Sequence, residues 1–153
     1  MPASKIVCWE NVRRYYGDRP DLLEENRKTE ESGICTFCPD GIESKKFSIV
    51  GETGSWTLIL NQFPYEGSQV HILVVPKRHV ISSLDLTIQE WQEWPEILRV
   101  AVAKYPFLEK GFGLGMREKE LGGVTIYHLH FHLIVPKANA EGLAEIAVKF
   151  GIG

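Results

Sequence analysis

His128-Leu129-His130-Phe131-His132 alternates imidazole with large apolar side chains at a period of two, and Leu133-Ile134-Val135-Pro136 carries the β-favouring composition onward. Successive side chains of a strand leave opposite faces, so the three histidines are expected on one face and Leu129, Phe131 and Leu133 on the other. The apolar row is expected to enter a core and anchor the imidazoles, roughly 7 Å apart along a strand that rises about 3.3 Å per residue. That spacing suits a phosphate and its neighbours. A lone histidine is most often a satisfied core or surface residue, and a pair is often a metal site. Here three of the chain's five histidines alternate, while His71 and His79 bracket the run that ends at Pro76. Such clustering points to a site.

Working outward, Val124 to Val135 reads as one strand, preceded by Gly122-Gly123 and by a strand over Phe112 to Met116. Further upstream, Lys46 to Val50, Trp56 to Asn61 and Val70 to Val75 read as strands, with Gly51-Glu52-Thr53-Gly54 as a hairpin turn, which predicts an antiparallel meander. Leu84 to about Tyr105 changes to helical spacing, broken or kinked near Pro95, with its tryptophans as packing residues. Ala138 to Phe150 reads as a short closing helix. Strands and helices grouped in this order favour an α+β domain over βαβ units.

The N-terminal part differs in character. Residues 1–33 are charged and aromatic by turns and read as a helical N-terminal extension, with Asp21 as the cap of a short helix, and residues 34–153 as the main domain. Ser32-Gly33 ends the helical pattern, and Pro39-Asp40-Gly41 is expected to turn the chain just after Cys35-Thr36-Phe37-Cys38. Three cysteines cannot form a closed disulfide set, whereas the Cys35–Cys38 spacing suits a metal knuckle, so this pair is read as thiolate ligands.

Length and charge bound the rest. A chain of 153 residues with a net charge of -3 suits one domain and offers no broad basic surface for a nucleic-acid duplex, so extended nucleic-acid binding is not expected. No apolar run approaches the roughly 20 residues of a membrane span, and no signal-peptide pattern opens the chain, so a cytoplasmic address is expected.

The run Gly123-Val124-Thr125-Ile126-Tyr127-His128-Leu129-His130-Phe131-His132-Leu133-Ile134-Val135-Pro136 resembles the signature of the histidine-triad (HIT) superfamily. An upstream match joins it: Leu58-Ile59-Leu60-Asn61-Gln62-Phe63-Pro64-Tyr65, then His71-Ile72-Leu73-Val74-Val75-Pro76-Lys77-Arg78-His79. Together they cover roughly Cys35 to Lys137. The resemblance implies a bent antiparallel sheet of about five strands with packed helices, commonly paired as a homodimer. It implies that His130 is the nucleophile that forms a nucleotidyl-imidazole intermediate, with His132 assisting at the phosphate and leaving oxygen. Near neutral pH an imidazole is substantially unprotonated, and donation from one ring nitrogen to a backbone carbonyl aims the other's lone pair at phosphorus.

By the same resemblance Gly123, Val124, Thr125 and Ile126 form a phosphate loop, and Asn61 hydrogen-bonds the ribose. His71 borders the active site, and Arg117 stands where a forked donor suits a polyphosphate. Trp56 and Leu58 suit the base or the core equally. Cys35, Cys38, His79 and His128 match a zinc site of some members; four ligands complete a tetrahedron, so that zinc is structural.

Val124 stands where relatives commonly carry glutamine, and Leu114 where they often carry a polar residue, so the substrate set stays open. Relatives hydrolyse phosphoramidates or dinucleoside polyphosphates, phosphorolyse diadenosine polyphosphates, or transfer nucleotides to sugar phosphates. Two unlike readings stand beside this one. In the first, His128, His130 and His132 bind a catalytic zinc, a set that one strand holds in poor tetrahedral geometry. In the second, the protein binds nucleotide without turnover.

Overall fold

The computed structural model describes residues 5–151, so the outermost four residues of the expected extension and the last two of the main domain lie outside the described residues. Two helices come first, α1 (Trp9–Tyr16) and α2 (Pro20–Ser32). Pro20 opens α2, where a missing N–H and a preset φ are tolerated. Asp21 is therefore not the cap but sits one residue inside and pairs with Arg19 at 2.9 Å. Gly33 ends α2 in the left-handed conformation, φ 67°, and returns its amide to Glu30 O. The expected break at Ser32-Gly33 is there.

Proline acts the same way after the cysteines. Pro39 starts a short helix, α3 (Pro39–Ser44), where the composition predicted only a turn. Five strands then form one antiparallel sheet: β1 (Ile49–Glu52), β2 (Trp56–Leu60), β3 (Ser68–Pro76), β4 (Gly113–Met116) and β5 (Phe131–Pro136), in the order β1-β2-β3-β5-β4. The expected meander is β1-β2-β3. Its first strand starts later than predicted, because Lys46 takes φ 55° and turns the chain before it can extend.

The helical stretch expected over Leu84 to about Tyr105 is broken near Pro95, as its spacing predicts, and its regular part starts later, at Ile88. A 3₁₀ turn at Ser83–Asp85 precedes α4 (Ile88–Gln92) and α5 (Trp94–Lys104). The break falls just before Pro95, which lies in the first turn of α5. A further 3₁₀ segment, Pro106–Lys110, leads to β4, and a helical turn, α6 (Lys119–Gly122), follows it.

The sheet carries a core on each face. Trp56, Leu58, Ile72, Val74, Leu129, Phe131 and Leu133 pack against Ile97 and Ala101 of α5, with Trp94 closing on Phe131 at 4.5 Å between ring centroids. Trp56 and Leu58 are thus core residues. On the other face Ile59, Leu73, Val75 and Ile126 pack against Val7, Val12, Phe37 and Ile42. The N-terminal helices and α3 therefore cover one face while α5 covers the other. Leu129, Phe131 and Leu133 lie in the α5-side core as the alternation predicts.

Two expectations need correction. The predicted strand from Val124 begins ladder pairing only at Phe131. Upstream of it the backbone is bonded elsewhere: Thr125 O accepts from Cys8 N, Tyr127 N donates to Ile6 O, and Leu129 N donates to Val80 O. Ala138 to Phe150 forms no helix. Asn139 Oδ1 captures the amides of Glu141 and Leu143, Gly142 takes φ 78°, and a lone bridge joins Ala138 to Ala144. A side chain that accepts from nearby amides competes with the helical ladder.

Candidate active site and metal centre

The site lies on the sheet face covered by the N-terminal helices, where one cleft of roughly 920 Å³, counted to its open mouth, is lined by His130, His132, Arg117, Asn61 and the loop Gly123 to Ile126. The three histidines have separate surroundings. His128 is fully buried, His132 is buried and His130 is half-buried at the cleft wall. The His130 and His132 rings lie 5.1 Å apart between centroids, closer than the flat-strand spacing, because His130 precedes the paired part of β5.

His130 Nδ1 lies 2.7 Å from the carbonyl oxygen of His128. A carbonyl only accepts, so the proton of neutral His130 sits on Nδ1 and the lone pair on Nε2. Burial holds His130 down to about 4, with Arg117 adding to the effect against the bond to His128, so the ring is uncharged at neutral pH. Phe37, from between the two cysteines, packs on it at 4.7 Å.

A proton chain defines His132. The amide of Tyr65 donates to His71 Nδ1 at 3.1 Å, which puts the proton of neutral His71 on Nε2. Burial keeps His71 neutral by lowering it to about 4. His71 Nε2 then donates to His132 Nδ1 at 2.9 Å, leaving the His132 proton on Nε2. That nitrogen lies 3.3 Å from Arg117 Nη1, itself a donor only. Burial first, then His130, His71 and Arg117, push His132 strongly downward, so the ring stays neutral and two donors converge with no acceptor between them. An oxyanion would satisfy both.

Arg117 is held for this position. Its Nε donates to Gly151 O at 2.7 Å, its Nη1 to Tyr65 Oη at 2.8 Å, and Phe150 lies 4.2 Å from its guanidinium carbon. In the loop, Gly123 and Val124 donate their amides to Glu120 O and Lys119 O. Among the described residues the amides of Thr125 and Ile126 have no partner, so these two remain for an anion. Asn61 turns its Nδ2 toward His71, 3.3 Å from Nε2, while its Oδ1 accepts from Phe63 N.

Cys35, Cys38, His79 and His128 meet, with all four ligand atoms within 4.8 Å of one another. Cys35 Sγ and Cys38 Sγ lie 3.3 and 3.6 Å from His128 Nδ1, and Cys38 Sγ lies 3.3 Å from His79 Nδ1. The sulfur–nitrogen edge of a zinc tetrahedron is about 3.5 Å for bonds near 2.3 and 2.0 Å. The residues fit a metal of that size. His128 Nε2 donates to Pro76 O at 2.8 Å, which frees Nδ1 as a ligand. The Cys38 thiol is pushed up to about 12 by burial and then by Cys35 beside it, a crowding that a cation between the sulfurs would offset. His128 turns to the cysteines, and neither His130 nor His132 belongs to this cluster, so the triad does not gather as one metal site.

Sequence reasoning missed the N-terminal contribution. Tyr16, Glu25, Asn26 and Thr29 line the cleft, and no pattern in residues 1–33 pairs them with the triad. Tyr65 was within reach, since it closes the quoted run that begins at Leu58. Phe150 lies in the stretch read as a helix.

A neutral imidazole with its Nε2 lone pair at the cleft wall, a second imidazole beside a guanidinium, and a separate Cys/His cluster thus share one sheet. The HIT domain family model matches residues 43–139, and the chain belongs to that family. It is 34% identical over 67 residues to an uncharacterized HIT-like protein of Synechococcus elongatus, covering 42% of this chain and 59% of that one. It is 28% identical to galactose-1-phosphate uridylyltransferase of Thermotoga maritima, covering 96% of this chain and 43% of the relative. The chain therefore spans less than two thirds of either protein. Among solved structures, a histidine triad nucleotide-binding protein from Sulfolobus tokodaii superposes with TM-score 0.56 at 28% identity, over 77% of this chain and 78% of that one. A zinc-bound histidine triad protein from Mycobacterium smegmatis shares the fold, with TM-score 0.51 at 23% identity over 72% and 81% of the two chains. No helix among the described residues is long and apolar enough to cross a membrane.

Proposed function

We propose that this chain hydrolyses a nucleoside phosphoanhydride or phosphoramidate, or transfers its nucleotidyl group, through a covalent bond from His130 Nε2 to phosphorus. The observation that carries the reading is the 2.7 Å contact of His130 Nδ1 with His128 O, which fixes the proton of the neutral ring on Nδ1 and leaves the lone pair on Nε2. A nucleotide-related activity is supported by membership of the HIT domain family and by the names of the uridylyltransferase and nucleotide-binding relatives.

In the first half-reaction Nε2 bonds to phosphorus as the bond to the leaving oxygen breaks. His132 Nε2–H and Arg117 offset charge on the phosphoryl and leaving oxygens, and the amides of Thr125 and Ile126 hold the non-bridging oxygens. In the second half-reaction water or another acceptor bonds to phosphorus, the P–N bond breaks and His130 leaves neutral. Asn61 holds the ribose. Cys35, Cys38, His79 and His128 would hold zinc, which supplies structural bracing and no chemistry to these steps. The helices α1 and α2 of the N-terminal extension complete the cleft.

The test is mass spectrometry of protein quenched with a slow nucleotide substrate. An acid-labile nucleotidyl adduct on His130 is expected, and both adduct and turnover should vanish in His130→Ala while the fold and metal content persist. Unchanged turnover in that variant would rule out covalent catalysis by His130.

A further inference from the structure

The last described stretch, residues 145–151, runs past the β4 edge of the site as a strap with neither helix nor strand. Ile146, Val148 and Phe150 touch the body of the protein, while Glu145, Ala147 and Lys149 between them are exposed. Two glycines make room for it. A Cβ on Gly67 would come within 2.6 Å of Ile146, and one on Gly115 within 2.7 Å of the Phe150 ring. Gly115 stands opposite His132 in the β4–β5 ladder, so the Phe150 ring fills the place that a β4 side chain would take beside that histidine, 5.1 Å from it between ring centroids. The strap lies outside residues 43–139, the part that matches the HIT domain.

Arg117 fastens its far end. Glu145 N donates to Lys137 O at 2.9 Å, the backbone of residues 146–150 makes no hydrogen bond among the described residues, and Gly151 O then accepts from Arg117 Nε at 2.7 Å. The guanidinium is held in return. Phe150 lies 4.2 Å from its carbon, Tyr65 Oη accepts from Nη1 at 2.8 Å, and that same nitrogen lies 3.3 Å from His132 Nε2. Among the described residues Nη2 has no partner, so its two N–H groups are left for a ligand. A free arginine loses rotamer freedom when it closes on an anion. These contacts hold this one in place beforehand.

Building on the nucleotide reading above, we infer that the strap is part of the phosphate site and that Phe150 is a positioning residue, which sets the affinity of that site by fixing Arg117. Phe150 is not among the residues that line the cleft, so it acts through the guanidinium and not on the ligand. An aromatic face beside the cation restricts its swing and leaves its N–H groups free. The effect falls on the phosphate alone, because base and ribose make no use of Arg117.

AMP against adenosine and UMP against uridine isolate that phosphate, with affinities measured by NMR titration of the full chain. The parent should prefer the nucleotide of each pair. Phe150→Leu, which keeps bulk without the aromatic face, should narrow that preference on the order of fivefold with nucleoside affinity unchanged, and Phe150→Tyr should restore it. Gly115→Ala evicts the ring from its seat and should reproduce the loss, so the test stands where one variant fails to fold. On an Arg117→Gln background neither change should narrow the preference further. An unchanged preference in the folded variants, an equal fall for nucleotide and nucleoside, a further fall on the Arg117→Gln background, or a parent without any preference would overturn the inference and leave nucleoside binding intact. A parent that binds none of the four ligands would take down the strap's role and the nucleotide reading together.

Discussion

His71 shows how one buried side chain links stability to chemistry. It is neutral in the fold and takes up a proton only near 4, against an ordinary value of 6.5, because burial disfavours its charge. On acidification the unfolded chain binds this proton first, so the stabilisation is complete above the ordinary value and is lost as pH falls toward the folded one. The loss reaches about 3 kcal/mol for a shift of this size. Urea unfolding of the parent protein should weaken steeply between these two values, and His71→Gln should show a shallower fall. An equally steep fall in the variant would mean that other groups carry the linkage. The same residue relays the Tyr65 amide to His132, so the variant also loses the device that holds the His132 proton on Nε2.

At the level of elements, the short α4 is held by its ends more than by its length. Thr87 accepts from Glu90 N at 3.1 Å and the Glu90 carboxylate accepts from Thr87 N at 2.7 Å, a reciprocal capping box. That carboxylate also takes a forked pair of bonds from Arg78, and Glu90 O accepts from Trp56 Nε1 at 2.8 Å. The helix start is thereby tied to the core indole and to the segment just before His79. Thr87→Ala should lower folding stability by about 1 kcal/mol, read from the midpoint of denaturant unfolding. No measurable change would show that the ties to Arg78 and Trp56 suffice without the cap.

For the molecule as a whole, the cysteine knuckle and the triad are one mechanical unit. Phe37 lies between the two cysteines and against His130, His128 lies between the cysteines and Pro76 O, and the bond from His130 Nδ1 ends on His128 O. Gly41 makes the knuckle this tight, since a Cβ there would come within 1.9 Å of Cys35 O. Chelation should therefore lower the melting temperature by several degrees and turnover with it, restored together by zinc and scored against metal content per chain. Full activity in metal-free protein would separate the two sites. The segment leading into α1 is part of the same unit, because Cys8 N donates to Thr125 O and Tyr127 N donates to Ile6 O, on either side of Ile126. Asn11 Nδ2 ties α1 to the loop again at Val124 O, 2.8 Å away.

Period-two alternation around His130 and proline-bounded apolar runs were enough to determine an antiparallel α+β sheet and the faces of Leu129 and His132, the CxxC spacing marked Cys35 and Cys38, and the resemblance to the HIT superfamily added His79 and His128 as candidate ligands. Those features are local or carried by motif, and a strand's geometry translates them directly into faces. The start of β5 at Phe131, the loss of a helix after Ala138 and the closure of the cleft by α2 were decided by tertiary structure alone. Each depends on where a backbone amide or a side-chain oxygen finds its partner, and those partners lie as far away as Cys8 for Thr125. A hydrogen bond across more than a hundred residues leaves no periodicity in the chain, which is why the site's imidazoles were legible and its far wall was not.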